Sequence, residues 1–112
     1  MQFEEISKFK NEFKKFKKKY KSLDQDLEKF KEILVVFPCG NCSRNWAELT
    51  SSKGVHIFKA RFSCAYLKNK SLRLIYAYYE DDDSIEFLEV YFKGDKDRED
   101  KERIAEYLNS KN

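Results

Sequence analysis

The chain has 112 residues, of which 41% are hydrophobic and 16% aromatic, which is enough apolar surface for one packed core. This composition argues against a disordered chain, and no apolar run approaches the roughly 18 residues that a membrane-spanning helix needs. The 23 basic residues are offset by 20 acidic ones, so the net charge of +3 does not by itself indicate a nucleic-acid partner.

The N-terminal sequence MQFEEISKFK has neither the basic nor the apolar region of a secretory signal. We therefore expect a cytoplasmic protein with no membrane partner, whose three cysteines stay reduced. Their odd number also argues against a disulfide framework.

Two amphipathic helices are predicted first, forming a helical hairpin over residues 1–36. Their apolar positions recur at spacings of three and four. The two stripes are Phe9, Phe13, Phe16 and Tyr20, then Leu23, Leu27, Phe30 and Leu34. Ser22 and Gln25 form a candidate capping box for the second helix, which should end before Pro38. The short link between the helices predicts an antiparallel pair.

An antiparallel sheet is predicted over residues 55–93, after a loop from Cys39 to Gly54 in which Trp46–Leu49 is a possible short strand or turn. Three runs of strand-like sequence follow in succession. They are Val55–Leu67, Leu72–Glu80 and Ser84–Lys93, with Asn69-Lys70 and the acidic run 81–83 as turns. Short turns make neighbouring strands antiparallel, so these runs predict a meander.

A C-terminal helix is predicted over residues 97–109, with Ile104, Tyr107 and Leu108 on its apolar side. The order of elements predicts a single α+β domain over residues 1–112, in which the hairpin packs on a twisted antiparallel sheet of three to four strands. We expect the helices on one face of the sheet, which leaves the other face exposed.

The exposed face is predicted to be basic. Alternation along the first strand places His56, Phe58, Ala60, Phe62 and Cys64 on the core face and Ile57, Lys59, Arg61 and Ser63 opposite. In the last strand, Leu88, Val90 and Phe92 are expected in the core and Phe87, Glu89, Tyr91 and Lys93 opposite. The basic face would then collect Lys59, Arg61, Arg73, Tyr91 and Lys93, with Lys96 just beyond.

Such a face suits an RNA phosphate, because arginine can bind a phosphate through two donors and lysine supplies a point charge. Tyr91 offers a ring for base stacking, or a phenol that neighbouring cations would push towards ionisation. The alternative is an ordinary solvated sheet face with scattered cations.

The C-terminal half resembles the RelE/ParE superfamily of bacterial and archaeal toxins. The similarity lies in IFKAR around Lys59 and Arg61, in SLRLIYAY from Ser71 to Tyr78, and in IEFLEVYFKGDKDRED from Ile85 to Asp100, with the helical hairpin preceding them. The resemblance implies a RelE-like α+β fold and an antitoxin partner. RelE-like members act as mRNA interferases that cut messenger RNA in the ribosomal A site without metal or cofactor, whereas ParE-like members inhibit DNA gyrase.

Carried over by position, Lys59, Arg61 and Arg73 match the basic residues that contact the scissile phosphate, and Lys93 and Lys96 lie near a further basic position. The sequence departs from the family after the last strand, where KGDKDREDKE contains neither the tyrosine nor the histidine that many members use for proton transfer. Ile57 also replaces a residue that is often basic. Either Tyr91 transfers the proton, or charge stabilisation dominates catalysis, or this protein does not cut RNA.

Three other features have both a functional and a structural interpretation. Cys39-Gly-Asn-Cys42 could be half of a zinc site or a redox dithiol, but ordinary loop cysteines are favoured because only Cys64 and His56 remain as ligands. His56 is either a core residue or a catalytic one. Lysines of the first helix, Lys15 and Lys18 among them, either bind ribosomal RNA or form a solvated face.

The predicted function is therefore that of a toxin with endoribonuclease activity, with Arg73, Lys59, Arg61 and Tyr91 at the catalytic site. Lys93, Lys96, Lys15 and Lys18 are the further RNA-binding candidates. Two alternatives stay open, namely a gyrase-inhibiting binder without enzymatic activity and an inactive toxin-fold interaction module.

Overall fold

A computed structural model describes residues 1–40, 45–67 and 71–110. Its elements follow in the order β1 (Gln2–Glu5), α1 (Ser7–Lys19), α2 (Leu23–Val36), β2 (Trp46–Ser52), β3 (Val55–Ser63), β4 (Ser71–Tyr79), β5 (Ser84–Phe92) and α3 (Lys101–Ser110). The predicted α+β class, the helical hairpin, the meander and the C-terminal helix are confirmed. The predicted turn at Asn69-Lys70 lies outside the described residues. Within those residues, no helix is both long and apolar enough to cross a membrane.

The sheet has five strands in the order β1-β5-β4-β3-β2, rather than the three to four that were predicted. The missed strand is β1, which pairs parallel with β5 from Gln2↔Ser84 to Glu5↔Phe87. The prediction of a purely antiparallel sheet was therefore wrong. Four residues at the start of a helical hairpin carry too little pattern to reveal a strand whose partner lies about 80 positions away.

The possible strand at Trp46–Leu49 is confirmed and extends to Ser52. It pairs antiparallel with β3 through a two-residue turn, in which Lys53 and Gly54 both have positive φ angles, of 51° and 82°. Two positive φ angles match the twist of a tight hairpin.

The hairpin packs on one face of the sheet, as expected. Phe9 of α1 stacks on Phe87 of β5, and Phe30 of α2 packs against Phe62 of β3, within a buried cluster that also contains Phe13 and Phe58. The capping box is not formed, because the hydroxyl of Ser22 donates to the carboxylate of Asp26 at 2.7 Å instead of capping the helix backbone.

The prediction that all helices lie on one face is wrong. Ile104 and Tyr107 of α3 pack with Ile57, Ile75 and Ala77 on the face opposite the hairpin. The helix also begins at Lys101 rather than residue 97. Its start is fixed by Asp100, whose carboxylate accepts a hydrogen bond from the backbone N–H of Arg103 at 3.1 Å.

A β-bulge in β5 exchanges two predicted faces. Ile75 is opposite Glu89, but Tyr76 is opposite Phe87, so Leu88 is the extra residue. Phe87 therefore packs against the hairpin and Leu88 against α3, the reverse of the prediction. The remaining assignments hold, since Val90 lies on the hairpin side and Tyr91 on the α3 side.

An ion pair covers the part of the β5 edge that lies beyond β1. The carboxylate of Glu12 on α1 accepts two hydrogen bonds from the guanidinium of Arg103 on α3, at 2.8 and 2.9 Å. Glu12 also accepts the backbone N–H of Val90 at 3.3 Å, and Arg103 donates to the carbonyl of Leu88 at 2.8 Å. The pair thus satisfies backbone groups of the sheet edge and joins the helices of the two faces.

Candidate nucleic-acid interface

The predicted cations lie together on the α3 side of the sheet. Arg61 of β3 is directly opposite Arg73 of β4, and Arg73 is directly opposite Tyr91 of β5. Lys59 lies two residues before Arg61 and therefore on the same face. Because α3 covers the half of this face around Ile57 and Ala77, the cations occupy the other half. We call the half formed by Lys59, Arg61, Arg73 and Tyr91 the cationic half.

Two arginines lie side by side within the cationic half. The backbone N–H of Arg61 donates to the carbonyl of Asn45, away from β4, which makes Arg61 and Arg73 a non-hydrogen-bonded pair. Such pairs have Cα atoms about 4.5 Å apart, and like charges placed there destabilise a sheet. In the described part of the chain, no carboxylate lies within ion-pair distance of either guanidinium.

Two serines border the arginine pair. The guanidinium of Arg73 donates to the hydroxyl of Ser71 at 2.9 Å, and Ser63 is directly opposite Ser71. Hydroxyls beside guanidinium groups extend the set of hydrogen-bond donors available to an anion. Ser71 was not singled out from the sequence, although its position two residues before Arg73 places it on the same face.

The lysines are less free than the sequence indicated. The ammonium of Lys59 binds the carboxylate of Glu99 at 2.9 Å, and Lys96 binds that of Glu89. Neither glutamate was predicted as a site residue, because a sequence pattern does not show which carboxylates fold against Lys59 and Lys96. The structure thus places two carboxylates beside the predicted phosphate site.

Tyr91 is buried, with 5% of its surface exposed. Burial raises the pKa of its phenol to about 12, with further contributions from Glu99 and Glu89 that outweigh the opposing effect of Arg73. The expectation that cations push this phenol towards ionisation is therefore wrong. Lys96 lies 5.3 Å from the ring centroid, so the ring packs against a cation instead.

The remaining RNA-binding candidates are dispersed. Lys93 and Lys96 are exposed just after β5, at the border of the cationic half. Lys15 and Lys18 are exposed on α1, which packs on the opposite face of the sheet. One phosphate cannot contact both sets.

His56 lies at the rim of the hairpin side rather than in the core. Its Nδ1 and Nε2 atoms are 2.6 and 2.5 Å from the carboxylate oxygens of Glu48 and Glu80. Hydrogen bonds to Glu80 and then Glu48 raise the pKa of His56, because both ring nitrogens must carry a proton to serve two acceptors. The residue faces away from the cationic half.

The charge of His56 predicts a pH-dependent contribution to stability. A pKa raised by folding stabilises the protein fully below the unfolded value of about 6.5, and this contribution disappears as the pH rises through the folded value. We expect the free energy of unfolding of wild type, relative to His56→Gln, to fall in urea titrations as the pH rises above about 6.5. The same comparison in a Glu48→Gln/Glu80→Gln background should show little pH dependence. A constant difference in both backgrounds would contradict the charged state.

The cysteine motif gains no support as a metal site. Cys39 is exposed, Cys64 is buried with its sulfur 3.7 Å from the hydroxyl of Ser22, and Cys42 lies outside the described residues. Over residues 1–40, 45–67 and 71–110, no three histidine, cysteine, aspartate or glutamate side chains are grouped as metal ligands.

Comparison with solved structures identifies the architecture. The chain is similar to a chain of the archaeal RelE–RelB complex from Pyrococcus horikoshii OT3, with a TM-score of 0.64 and 16% sequence identity. The match covers 83% of this chain and 94% of that chain. The fold is RelE-like. No protein-family model and no curated protein sequence matches the chain. In this RelE-like fold the hairpin and α3 therefore pack on opposite faces of the sheet, and the arginines lie on the α3 face, beyond the part that α3 covers.

Proposed function

We propose that this protein is the toxin of a toxin–antitoxin pair and that the cationic half binds and cleaves RNA. The observation that carries the proposal is the direct opposition of Arg61 and Arg73 on an open sheet face, with no carboxylate between them among the described residues. Like charges at that distance cost folding free energy, and a bound phosphate would relieve the cost.

The proposed reaction is attack of the ribose 2′-hydroxyl on the adjacent phosphorus. The 2′-hydroxyl gives its proton to water as the new O–P bond forms a 2′,3′-cyclic phosphate, and the bond to the 5′-oxygen breaks as that oxygen takes up a proton from water. Arg61 and Arg73 stabilise the charge that accumulates on the phosphoryl oxygens, and Lys59 is the nearest additional cation. Lys93 or Lys96 assists the leaving oxygen. Tyr91, with its raised pKa, packs beside Arg73 rather than accepting the proton.

The partners in this proposal are an antitoxin protein and messenger RNA in the ribosomal A site. The similar Pyrococcus horikoshii chain comes from a RelE–RelB complex, which favours an antitoxin partner for a chain of the same fold. The family resemblance of the sequence favours messenger RNA as substrate.

Expression in a bacterial host tests the proposal. Induction should arrest growth, the arrest should require Arg61 and Arg73, and primer extension should reveal new messenger RNA 5′ ends. Co-expression of the small open reading frame next to the gene should restore growth. Unimpaired growth and intact messenger RNA at high levels of folded protein would contradict the nuclease assignment.

A gyrase-inhibiting toxin is the second candidate. It is favoured by the burial of Tyr91 and by the absence of tyrosine and histidine from residues 93–102, because the family resemblance implies a tyrosine or histidine for proton transfer. Loss of DNA supercoiling with intact messenger RNA would establish this alternative.

A further inference from the structure

The segment from Lys93 to Asp100, which we call the strap, connects β5 to α3 beside the cationic half. A buried carboxylate holds its C-terminal end. Glu89 of β5 is 1% exposed and accepts the backbone N–H of Asp100 at 2.9 Å, in addition to binding the ammonium of Lys96. Asp100 also caps α3. Glu99 directly precedes Asp100 in the strap. Because Asp100 is held through both its backbone N–H and its carboxylate, the fold also fixes the position of Glu99.

Glu99 uses this position to bind Lys59. Its side chain is 9% exposed, and one carboxylate oxygen lies 2.9 Å from the ammonium of Lys59. Burial is the largest single effect on Glu99 and opposes its ionisation. The hydrogen bonds from Lys59 and from a backbone N–H, together with the charges of Lys59 and Lys101, outweigh it and lower the pKa of the carboxyl group. The negatively charged carboxylate of Glu99 is thus bound to Lys59, the lysine that neighbours the arginine pair.

A carboxylate and a phosphate monoanion compete for the same kind of donor, because both present negatively charged oxygens to an ammonium group. Arg61 and Arg73 are available to a ligand, whereas Lys59 becomes available only when Glu99 withdraws. RNA binding through all three cations therefore requires a rearrangement of the strap or of the Glu99 side chain.

We propose that Glu99 is a built-in competitor of the RNA phosphate, which holds Lys59 in the free protein and limits the affinity of the cationic half for nucleic acid. This inference rests on the proposed function, since it concerns the regulation of the same site. It assigns to the strap the role of an autoinhibitory contact that an RNA ligand displaces.

Glu99→Gln tests the inference, with Asp97→Asn as its matched control. Both changes remove one negative charge from the strap, but Asp97 is exposed and forms no ion pair among the described residues. The probe is a fluorescent single-stranded 2′-O-methyl oligoribonucleotide, which cannot be cleaved because it lacks the 2′-hydroxyl. Its dissociation constant is measured by anisotropy at several salt concentrations.

We expect Glu99→Gln to bind the probe about threefold or more tightly than Asp97→Asn. The slope of log affinity against log salt should steepen by about 0.7, the value for one additional phosphate contact on a single strand. Lys59→Ala should abolish this gain in the Glu99→Gln background, so that the double variant binds the probe no more tightly than Lys59→Ala alone. Amine-reactive labelling of Lys59, followed by mass spectrometry, should increase in Glu99→Gln.

Three outcomes overturn the inference in distinguishable ways. Equal affinities of Glu99→Gln and Asp97→Asn, with binding still weakened by Arg73→Ala, would show that Glu99 does not compete with RNA and would leave the proposed function intact. If the protein does not bind the probe, or if Arg73→Ala does not weaken binding, both the inference about Glu99 and the proposed function are contradicted. Unchanged affinity with loss of cleavage of ordinary RNA would place Glu99 in the chemical step instead.

Discussion

Arg73→Ala should lower the rate of RNA cleavage about 100-fold or more, because a preorganised donor to the charge that develops in the transition state is lost. Arg73→Lys should recover only part of the rate, since an ammonium group keeps the charge but not the two-donor geometry. The measurement is single-turnover cleavage of a labelled RNA, with ribosomes added if the isolated protein is inactive. Lys21→Ala, an exposed change of the same charge in the turn between α1 and α2, is the control.

Stability measurements separate this effect from unfolding. Removing Arg73 relieves the repulsion with Arg61, so the thermal midpoint of Arg73→Ala should stay equal to that of wild type or rise slightly. Full cleavage activity in Arg73→Ala would show that the phosphate binds elsewhere. A marked fall in thermal midpoint would mean that the arginine pair serves the fold.

Glu12→Ala should lower the free energy of unfolding by about 2 kcal/mol or more, because it leaves Arg103 without its main partner in a largely buried position. Arg103 is 11% exposed and binds Glu12 through two hydrogen bonds. The same change also removes the acceptor for the backbone N–H of Val90. Urea unfolding monitored by tryptophan fluorescence and circular dichroism measures the effect.

Two variants make this prediction specific. Glu28→Ala breaks an exposed ion pair with Lys31 and should cost less than about 0.5 kcal/mol. The double variant Glu12→Leu/Arg103→Met replaces both charges with apolar groups and should recover much of the lost stability. Equal stabilities of Glu12→Ala and Glu28→Ala would show that the pair contributes little.

Features set by local pattern were predictable from the sequence. The aromatic stripe of α1 and the alternation in β3 follow from periodicity, and they place Phe9 in the core and Arg61 on the opposite face. Arg61 and Arg73 could be assigned to one face because side chains in β3 and β4 alternate regularly between the two faces and only a short connection separates the strands. That the two are directly opposite depends on the pairing register, which the sequence did not specify.

The features that were missed depend on contacts between distant parts of the chain. The pairing of β1 with β5 and the Glu12–Arg103 pair join positions about 80 to 90 residues apart, and neither has a local signal. The bulge at Leu88 exchanges two faces because one inserted residue breaks a period of two. Glu99 was missed because it matters only through its contact with Lys59, which lies 40 positions earlier in the chain. That contact depends on which face of the sheet α3 packs against, and this was predicted wrongly.

The parallel pairing of β1 with β5 has a consequence for synthesis on the ribosome. The first strand leaves the exit tunnel before its partner exists, since Gln2 pairs with Ser84. At translation rates of about 5–20 residues per second, the nascent N-terminus waits roughly 4 to 16 s for its neighbour. The meander of β3, β4 and β5 can form from consecutive residues, so closure of the sheet by β1 is expected to be a late step in folding.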